Sequence, residues 1–393
     1  MGRNKKLQEL ELSLNSLVVF RRLLTNEVMV PLRALLDTET TDPLIQLRQY
    51  AEFVSRLYPK STSLTDFILK LVLEDDNFYV RSIGAGETPD ERLTLCVQNE
   101  LLILQRLSRI KPTELQKEIS YYGVLPEWTV SEVDFGAAFA ERMRQLPRFG
   151  YGKYTQSPMF FFRDGQTVPV MHPDPICIGD LCGYEEERGL LGANTRALLH
   201  GRPAQNVLLY GEAGTGKSSS VKAMVNTYAP QGLRMIQIGK DQLRDLPQIM
   251  DEISGNPLKF ILFIDDLSFP AGQERLGAVN AMLEGSVCAQ ADNAVIYATS
   301  NLRDPGADTG DLRALTDRFG LQIRFSRLDR ESYAETVRRF AREAGLRYAE
   351  DTLLAGAEQF AASGPGRSPR AARQFIKLLI AQEEYRADAS PDA

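Results

Sequence analysis

Cysteine, histidine and long apolar runs are scarce in this chain of 393 residues. Four cysteines occur without a C-x-x-C pair, and there are two histidines. This scarcity argues against a zinc site and a disulfide framework, and it suits a reducing compartment. No stretch approaches the roughly 18 apolar residues of a membrane-spanning helix. Acidic residues stand where a signal peptide needs an apolar run. We therefore expect a cytoplasmic protein without a membrane partner.

Positive charge is also limited. The formal net charge is −6, and MGRNKK at the start is the one dense basic run. A protein without a global basic field is not drawn to nucleic acid by its net charge, although a local basic patch would still serve that purpose. Apolar residues make up 43% and charged residues 25% of the chain, which is ordinary for a globular protein.

The periodicity of apolar residues divides the chain into four regions. Residues 1–150 are predicted to form a mostly helical N-terminal domain of unknown role, with Pro31 breaking its early helical pattern. Residues 151–175 are predicted to be a linker carrying a hairpin around Asp164-Gly165. Short apolar runs alternate with amphipathic segments over 176–329, which predicts an α/β domain with a parallel sheet. Residues 330–393 are predicted to be a helical lid with a polar tail.

A glycine-rich loop follows the first of these apolar runs, in the sequence NVLLYGEAGTGKSSSVKAM. Its spacing fits G-x-x-x-x-G-K-[ST]. Such a loop turns backbone N–H groups towards phosphates, and the helix that follows favours their negative charge. Lys217 is expected to reach the β- and γ-phosphates, and Ser218 to bind Mg²⁺. The residues predicted to bind the nucleotide here are Gly211, Glu212, Ala213, Gly214, Thr215, Gly216, Lys217, Ser218 and Ser219.

Two later apolar runs also end in polar residues. KFILFIDDLSF places Asp265 and Asp266 at the end of a strand, where Asp265 can hold Mg²⁺ and Asp266 can orient or deprotonate the attacking water. Many ATPases with a glycine loop of this kind carry a glutamate at the position of Asp266. Aspartate is shorter than glutamate, so slow turnover is compatible with this sequence. NAVIYATSN ends in Asn301, whose amide can both donate to and accept from the γ-phosphate and the water.

Two arginine-bearing segments follow. Arg318 precedes the last apolar run, and Arg370 begins a helix in SPRAARQFIKLL. The guanidinium fork matches phosphate oxygens, and an arginine supplied by a neighbouring subunit can stabilise the charge of a transition state. Arg313 and Arg373 are the nearby alternatives. An arginine is otherwise most often a surface ion-pair partner.

Taken in order, these motifs resemble the AAA+ ATPase superfamily. The sequence is similar in particular to an uncharacterised bacterial AAA+ family marked by a domain of unknown function. The resemblance covers roughly residues 183–376 and rests on these phrases: GYEEERGLLGANTRALLHGRPAQNVLLYGEAGTGKSSSVKA, FILFIDDLSF, VIYATSN, LTDRFGL and RAARQF.

The resemblance assigns roles to individual residues. It implies a P-loop sheet domain of the AAA+ type that binds ATP and Mg²⁺ beneath a C-terminal helical lid. The Asp-Asp pair also looks like that of bacterial replication initiators and helicase loaders. The roles carried over are Walker A for Lys217 and Ser218, Walker B for Asp265 and Asp266, sensor 1 for Asn301, the trans arginine finger for Arg318, sensor 2 for Arg370, and proximity to adenine for Gly183 and Tyr184.

The function expected from this resemblance is Mg²⁺-dependent ATP hydrolysis by a homo-oligomer, such as a ring, that acts as a switch or remodels a macromolecule. The alternative is an ATP-gated adaptor or loader for a nucleic-acid machine, with slow hydrolysis and a protein or nucleic-acid partner held by the N-terminal half. The segment IGKDQLRDLPQIM lacks the aromatic pore loop of protein-threading AAA+ machines, which weakens an unfoldase reading. A scaffold that barely hydrolyses ATP is disfavoured by Asp266, Asn301 and both arginines.

Overall fold

The computed structural model describes residues 5–36, 42–267, 292–301, 319–364 and 366–388. The chain divides into two compact units. The helical unit comprises Met1–Gln156 and Gly255–Pro257, and the sheet unit comprises Ser157–Ser254 and Leu258–Ala393. Among the helices formed by the described residues, none is long and apolar enough to cross a lipid bilayer.

The helical unit contains the helices that the apolar periodicity predicts. Several begin at a side chain that caps the first turn, such as Asp42, which accepts from the N–H of Leu44 and precedes Pro43. Its helices are α1 (Lys5–Asn15), α2 (Met29–Leu36), α3 (Pro43–Leu57), α4 (Leu64–Glu74), α5 (Phe78–Gly84), α6 (Glu91–Ser108), α7 (Pro112–Gln116), α8 (Phe135–Arg144) and α9 (Leu146–Phe149).

The helical pattern is interrupted, but not at Pro31 as the sequence predicted. Pro31 is the third residue of α2, within the first turn, where a residue without an N–H leaves no intrahelical bond unmade. The interruption comes earlier, at a short 3₁₀ helix over Arg21–Thr25. Asn26 follows it, and its side chain accepts from the N–H of Val28.

A buried carboxylate fixes the chain between α1 and this 3₁₀ helix. Glu100 on α6 is 3% exposed. It accepts from the backbone N–H groups of Val18 (2.7 Å), Val19 and Phe20 (2.9 Å). The thiol of Cys96 also donates to it at 3.3 Å. Because a buried N–H group needs an acceptor, Glu100 replaces the water that these groups lose on folding.

The sheet unit contains a seven-stranded sheet. Its order is β2-β1-β4-β5-β6-β3-β7, and every pair except β1–β2 is parallel. Side chains on both faces of β3 are buried, as for Leu208 and Leu209, which is typical of a parallel sheet covered on both sides. The strands are β1 (Met159–Arg163), β2 (Gln166–Pro169), β3 (Val207–Gly211), β4 (Leu233–Ile238), β5 (Lys259–Ile264), β6 (Ala294–Ser300) and β7 (Leu321–Phe325).

The hairpin expected in a linker belongs to this sheet instead. β1 pairs with β2 antiparallel and with β4 parallel, so that Phe160 lies opposite both Pro169 and Ile236. Burial explains the correction, because Phe160 and Phe162 are almost fully covered, which a free linker would not achieve. The turn uses Asp164 and Gly165, both with positive φ, as a tight two-residue hairpin requires.

Helices surround the sheet and continue beyond it. They are α10 (Glu185–Leu199), α11 (Lys217–Tyr228), α12 (Leu246–Ile253), α13 (Arg330–Glu343), α14 (Glu350–Ala362) and α15 (Pro369–Asp388). The last three follow β7 and pack on one another, with Phe340, Ala357 and Phe375 in the shared core. The expected fold class, a parallel α/β sheet with C-terminal helices and a helical N-terminal region, is confirmed.

Candidate nucleotide site

The glycine loop joins β3 to α11 and lies against two other elements. Gly211 has a φ of +127°, and a Cβ added there would lie 2.2 Å from the carbonyl oxygen of Phe325 on β7. Gly214 has a φ of +83°, and a Cβ there would meet Arg370 at 3.2 Å. A larger residue is therefore excluded at Gly211 by both backbone conformation and space, and at Gly214 it would be strained by backbone conformation and tightly packed. The loop is a shaped cradle rather than a chance turn.

Lys217 begins α11 and folds back over this loop. Its Nζ donates to the carbonyl oxygens of Gly211 and Glu212, both at 2.8 Å, and to Oδ1 of Asn301 at 3.2 Å. Burial, with a smaller contribution from Arg370, lowers the pKa of Lys217 to about 8, although Asp265, Asp266 and Glu212 act in the opposite direction. An anion bound in the loop would compensate this desolvated ammonium group.

A shared hydrogen-bond acceptor connects the ends of two strands with the helix that follows β3. Oδ1 of Asp265, which follows β5, accepts from the hydroxyl of Ser218 at 2.6 Å and from that of Thr299 at 2.7 Å. This meeting follows from the strand order, because β6 carries Thr299 and lies between β5 and β3. The carboxyl ends of parallel strands meet at one edge of the sheet, which is where ligands bind in such folds.

Asp266 is half-exposed, and three polar groups bond it. Its φ is +57°, and its N–H donates to Oγ1 of Thr299 at 2.8 Å. Its Oδ1 accepts from Nδ2 of Asn301 at 2.8 Å, and its Oδ2 accepts from Nζ of Lys240 at 3.0 Å. Asn301 therefore bonds both Lys217 and Asp266, and a continuous network runs from the glycine loop to the second carboxylate.

A cavity of about 560 Å³ adjoins the loop. Its walls come from residues within 174–182, from the phosphate loop, and from α13 and α15. Asn226 of α11 holds the first of these segments in place by donating to the carbonyl oxygens of Asp174 (2.7 Å) and Ile176 (2.8 Å). The cavity is large enough for a nucleoside.

The residues present fit both groups that the sequence implies. A hydroxyl and a carboxylate oxygen, from Ser218 and Asp265, meet within hydrogen-bonding distance, and oxygen ligands of this kind are those that Mg²⁺ takes. The start of α11 and its lysine offer N–H donors and positive charge to phosphates.

The comparison with protein families decides the relationship. The family described as "Protein of unknown function (DUF815)" matches residues 155–305 and 306–383, which together exceed half of the chain. This chain belongs to the DUF815 family. No curated protein matches the DUF815 chain in sequence.

Among solved structures, the DUF815 chain is similar to the Thermotoga maritima RuvB Holliday junction branch migration motor, with 16% identity and a TM-score of 0.38. Two single-residue variants of that protein match with 16% and 18% identity and the same TM-score. In each case the similarity covers 51% of this chain and 63% of the other. The DUF815 chain thus spans less than two thirds of the RuvB chains that it matches.

The structure brings most of the predicted site residues of this DUF815 protein together. Arg370 lies at the loop, where its backbone N–H donates to the carbonyl oxygen of Gly214 at 3.3 Å. Gly183 and Tyr184 adjoin the cavity wall, but Tyr184 packs against Phe325 (4.9 Å between ring centres) and donates to the carbonyl oxygen of Ser326. Burial raises the pKa of Tyr184 well above its usual range. Arg318, with its alternative Arg313, lies outside the described residues.

Three residues that contact this network or the cavity were missed. Thr299 stands two residues before the predicted Asn301, and it bonds both aspartates. Lys240 follows β4 at the same sheet edge, and that position was its only signal. Arg188, on α10, lines the cavity; its signal was its place four residues after Tyr184, within a phrase that carries the family resemblance.

Proposed function

We propose that this protein binds Mg²⁺-ATP and hydrolyses it at the carboxyl edge of its sheet. One observation carries the proposal: the network of hydrogen bonds that runs from Lys217 through Asn301 to Asp266 beside the Ser218–Asp265 pair. A phosphate cradle, a magnesium-binding pair and a carboxylate for the attacking water thus stand side by side. This set of groups is what phosphoryl transfer to water requires.

The roles follow from the contacts. Backbone N–H groups of the loop and Lys217 bind the phosphates, while Ser218 and Asp265 hold the magnesium ion. That ion supplies charge neutralisation at the phosphate oxygens. Asn301 and Asp266 orient a water whose oxygen attacks the γ-phosphorus, and Asp266 accepts the proton as the bond to the β–γ bridging oxygen breaks. The guanidinium of Arg370 is close enough to the loop to bind phosphate oxygens.

The decisive experiment is nucleotide binding by the Lys217→Ala variant. We expect Mg²⁺-ATP affinity to fall by roughly 100-fold or more, because a buried charge-assisted contact to phosphate is lost. Isothermal calorimetry measures this directly. The matched control is Lys222→Ala, which removes an ammonium group from the same helix outside the network. Equal affinity in the wild type and Lys217→Ala would refute the site assignment.

A second candidate is an ATP-gated adaptor or loader that hydrolyses slowly. The restraint on Asp266 favours it, because Asn301 and Lys240 engage both carboxylate oxygens. A base held in this way must first be released before it can accept a proton. Tight ATP binding, with turnover that stays low until a protein or nucleic-acid partner is added, would support the second candidate. Rapid turnover by the isolated protein would support the first.

We further propose that the active form is a cytoplasmic homo-oligomer, such as a ring, with Arg318 reaching the site of a neighbouring subunit. The proposal rests on the sequence motif, and the helical unit remains the region proposed to hold the macromolecular partner. Specific ATPase activity should rise with protein concentration as shared sites form, alongside an increase in mass measured by light scattering. Activity per chain that stays constant while the mass changes would contradict a shared site.

A further inference from the structure

One buried arginine in the cavity has no role in the network described above. Arg188 lies on α10, is 7% exposed, and lines the cavity beside the phosphate loop. Among the described residues, its one hydrogen bond is from its Nη2 to Oε1 of Glu185, at 3.2 Å. Glu185 itself is largely exposed, with 77% of its side chain accessible. Most of the donors of Arg188 are therefore unused by the protein.

A guanidinium group in this position is costly. It carries five N–H donors and a permanent charge, and burial without partners is unfavourable for both. Burial indeed lowers the pKa of Arg188, and the nearby Arg339 lowers it further, while Glu185, Cys182 and Glu187 act in the opposite direction. A single pair with an exposed glutamate compensates only weakly. Such a residue is explained if a ligand supplies the missing acceptors.

Arg188 shares its cavity with the phosphate loop, so a nucleotide bound at the loop would enter the same space. The cavity is lined by Thr215, Gly216 and Ser219 of the phosphate loop and its helix, and it extends from there to Arg188. A triphosphate held by Lys217 would direct its sugar and base into this space. Arginine has donors only, and adenine presents the acceptor nitrogens N1, N3 and N7 within its rings.

We propose that Arg188 is a base-binding residue, which donates hydrogen bonds to a ring nitrogen of the adenine of bound ATP. This inference rests on the proposed function and adds the residue that distinguishes a nucleotide from a bare triphosphate chain. Binding energy from the base then comes from a charged donor, and such a hydrogen bond is stronger than one between neutral groups.

The test compares two ligands and two variants. Calorimetry measures binding of Mg²⁺-ATP and of Mg²⁺-tripolyphosphate, which has no base, to the wild type and to Arg188→Met. We expect the variant to bind ATP roughly 10- to 100-fold more weakly, as for loss of a charge-assisted bond, and tripolyphosphate with unchanged affinity. The matched control is Arg196→Met, two turns further along α10, where the guanidinium bonds the hydroxyl of Tyr228.

Melting temperature without nucleotide separates a ligand contact from a structural one. A poorly paired buried charge can be replaced by an apolar side chain of similar size without loss of stability. We therefore expect Arg188→Met to melt at the wild-type temperature or above it. Three analogues of ATP, 1-deaza, 3-deaza and 7-deaza, each lack one ring nitrogen of the base. The analogue that lacks the nitrogen contacted by Arg188 should bind the wild type and the variant with almost equal affinity, which identifies that nitrogen.

Several results would overturn the inference. Equal ATP affinity in wild type and Arg188→Met would exclude a base contact. If Arg188→Met lost affinity equally for ATP and for tripolyphosphate, Arg188 would be a phosphate ligand. If the variant also melted at a lower temperature than the wild type, the role of Arg188 would be structural. If the wild type binds neither ligand, the proposed function itself fails. If the wild type binds both ligands and the variant binds them with the same affinity, only the role of Arg188 fails.

Discussion

In both the helical unit and the sheet unit, a carboxylate joins distant parts of the chain. The two carboxylates differ in the kind of group that donates hydrogen bonds to them. Glu100 accepts from the backbone N–H groups of the segment before the 3₁₀ helix. Asp265 accepts from two hydroxyl groups, those of Ser218 and Thr299. Backbone donors cannot turn away or become acceptors. Hydroxyl groups can do both.

This difference separates a structural carboxylate from one that can serve a ligand. If Glu100 is neutralised, its backbone donors remain in the core without an equivalent acceptor, and the fold bears the cost. If Asp265 is neutralised or bound by a cation, the two hydroxyl groups rotate and find new partners. We therefore expect Asp265 to lose its charge or to bind a cation at little cost in stability.

The largest expected effect tests the functional side of this comparison. Asp266→Asn should lower the turnover number by roughly 10²- to 10⁴-fold, since the proposed proton acceptor is lost. ATP affinity should stay within a few-fold of the wild type, and the melting temperature should not fall. Steady-state phosphate release and calorimetry measure these quantities.

The control for this change is Asp251→Asn, which removes an exposed carboxylate from α12. Its turnover should match the wild type. Normal turnover in Asp266→Asn would assign proton acceptance to another group, and the contrast between the two units would then rest on Asp265 alone.

A smaller effect tests the structural side. Glu100→Gln should destabilise the helical unit by about 1–3 kcal/mol, because an amide group would face backbone donors. Asp265→Asn, the matched change in the sheet unit, should alter stability by less than about 1 kcal/mol. The single tryptophan, Trp128, lies buried in the helical unit and provides a fluorescence signal for its unfolding in urea.

The comparison breaks if the two variants behave alike. Equal destabilisation would mean that the hydroxyl partners of Asp265 are as fixed as backbone groups. A Glu100→Gln protein with an unchanged urea midpoint would mean that the segment before the 3₁₀ helix is held by packing rather than by its hydrogen bonds.

Local patterns predicted the elements of the sheet unit well. Apolar runs of about five residues marked the strands, and the glycine spacing placed Lys217 and Ser218 at the start of a helix. The hydrogen bond between Asp265 and Thr299 could not be predicted from local patterns, because it depends on which strands are neighbours in the sheet. Lys240 lies at no recognisable spacing from the motif, so only the folded chain relates it to the site, and Arg188 lies near the predicted Tyr184 in sequence without a residue pattern that gives it a role.

Other differences arose where tertiary packing overrides a local preference. Proline predicts a helix break, but Pro31 falls in a first turn, where it is tolerated. The aromatic run before Asp164 predicted a hairpin correctly, yet its membership in the sheet depends on burial against β4, far along the chain. The role of Arg318 remains a prediction from sequence.

The hydrogen bond from the backbone N–H of Arg370 to Gly214 couples the position of the loop to the orientation of a long helix. Arg370 stands at the start of α15, which has 20 residues. A helix of that length spans about 30 Å, so a tilt of about 10° at its first turn would displace its far end by roughly 5 Å. A sub-ångström adjustment of the loop around a phosphate would thus be amplified into a displacement as wide as a side chain, at a point remote from the nucleotide.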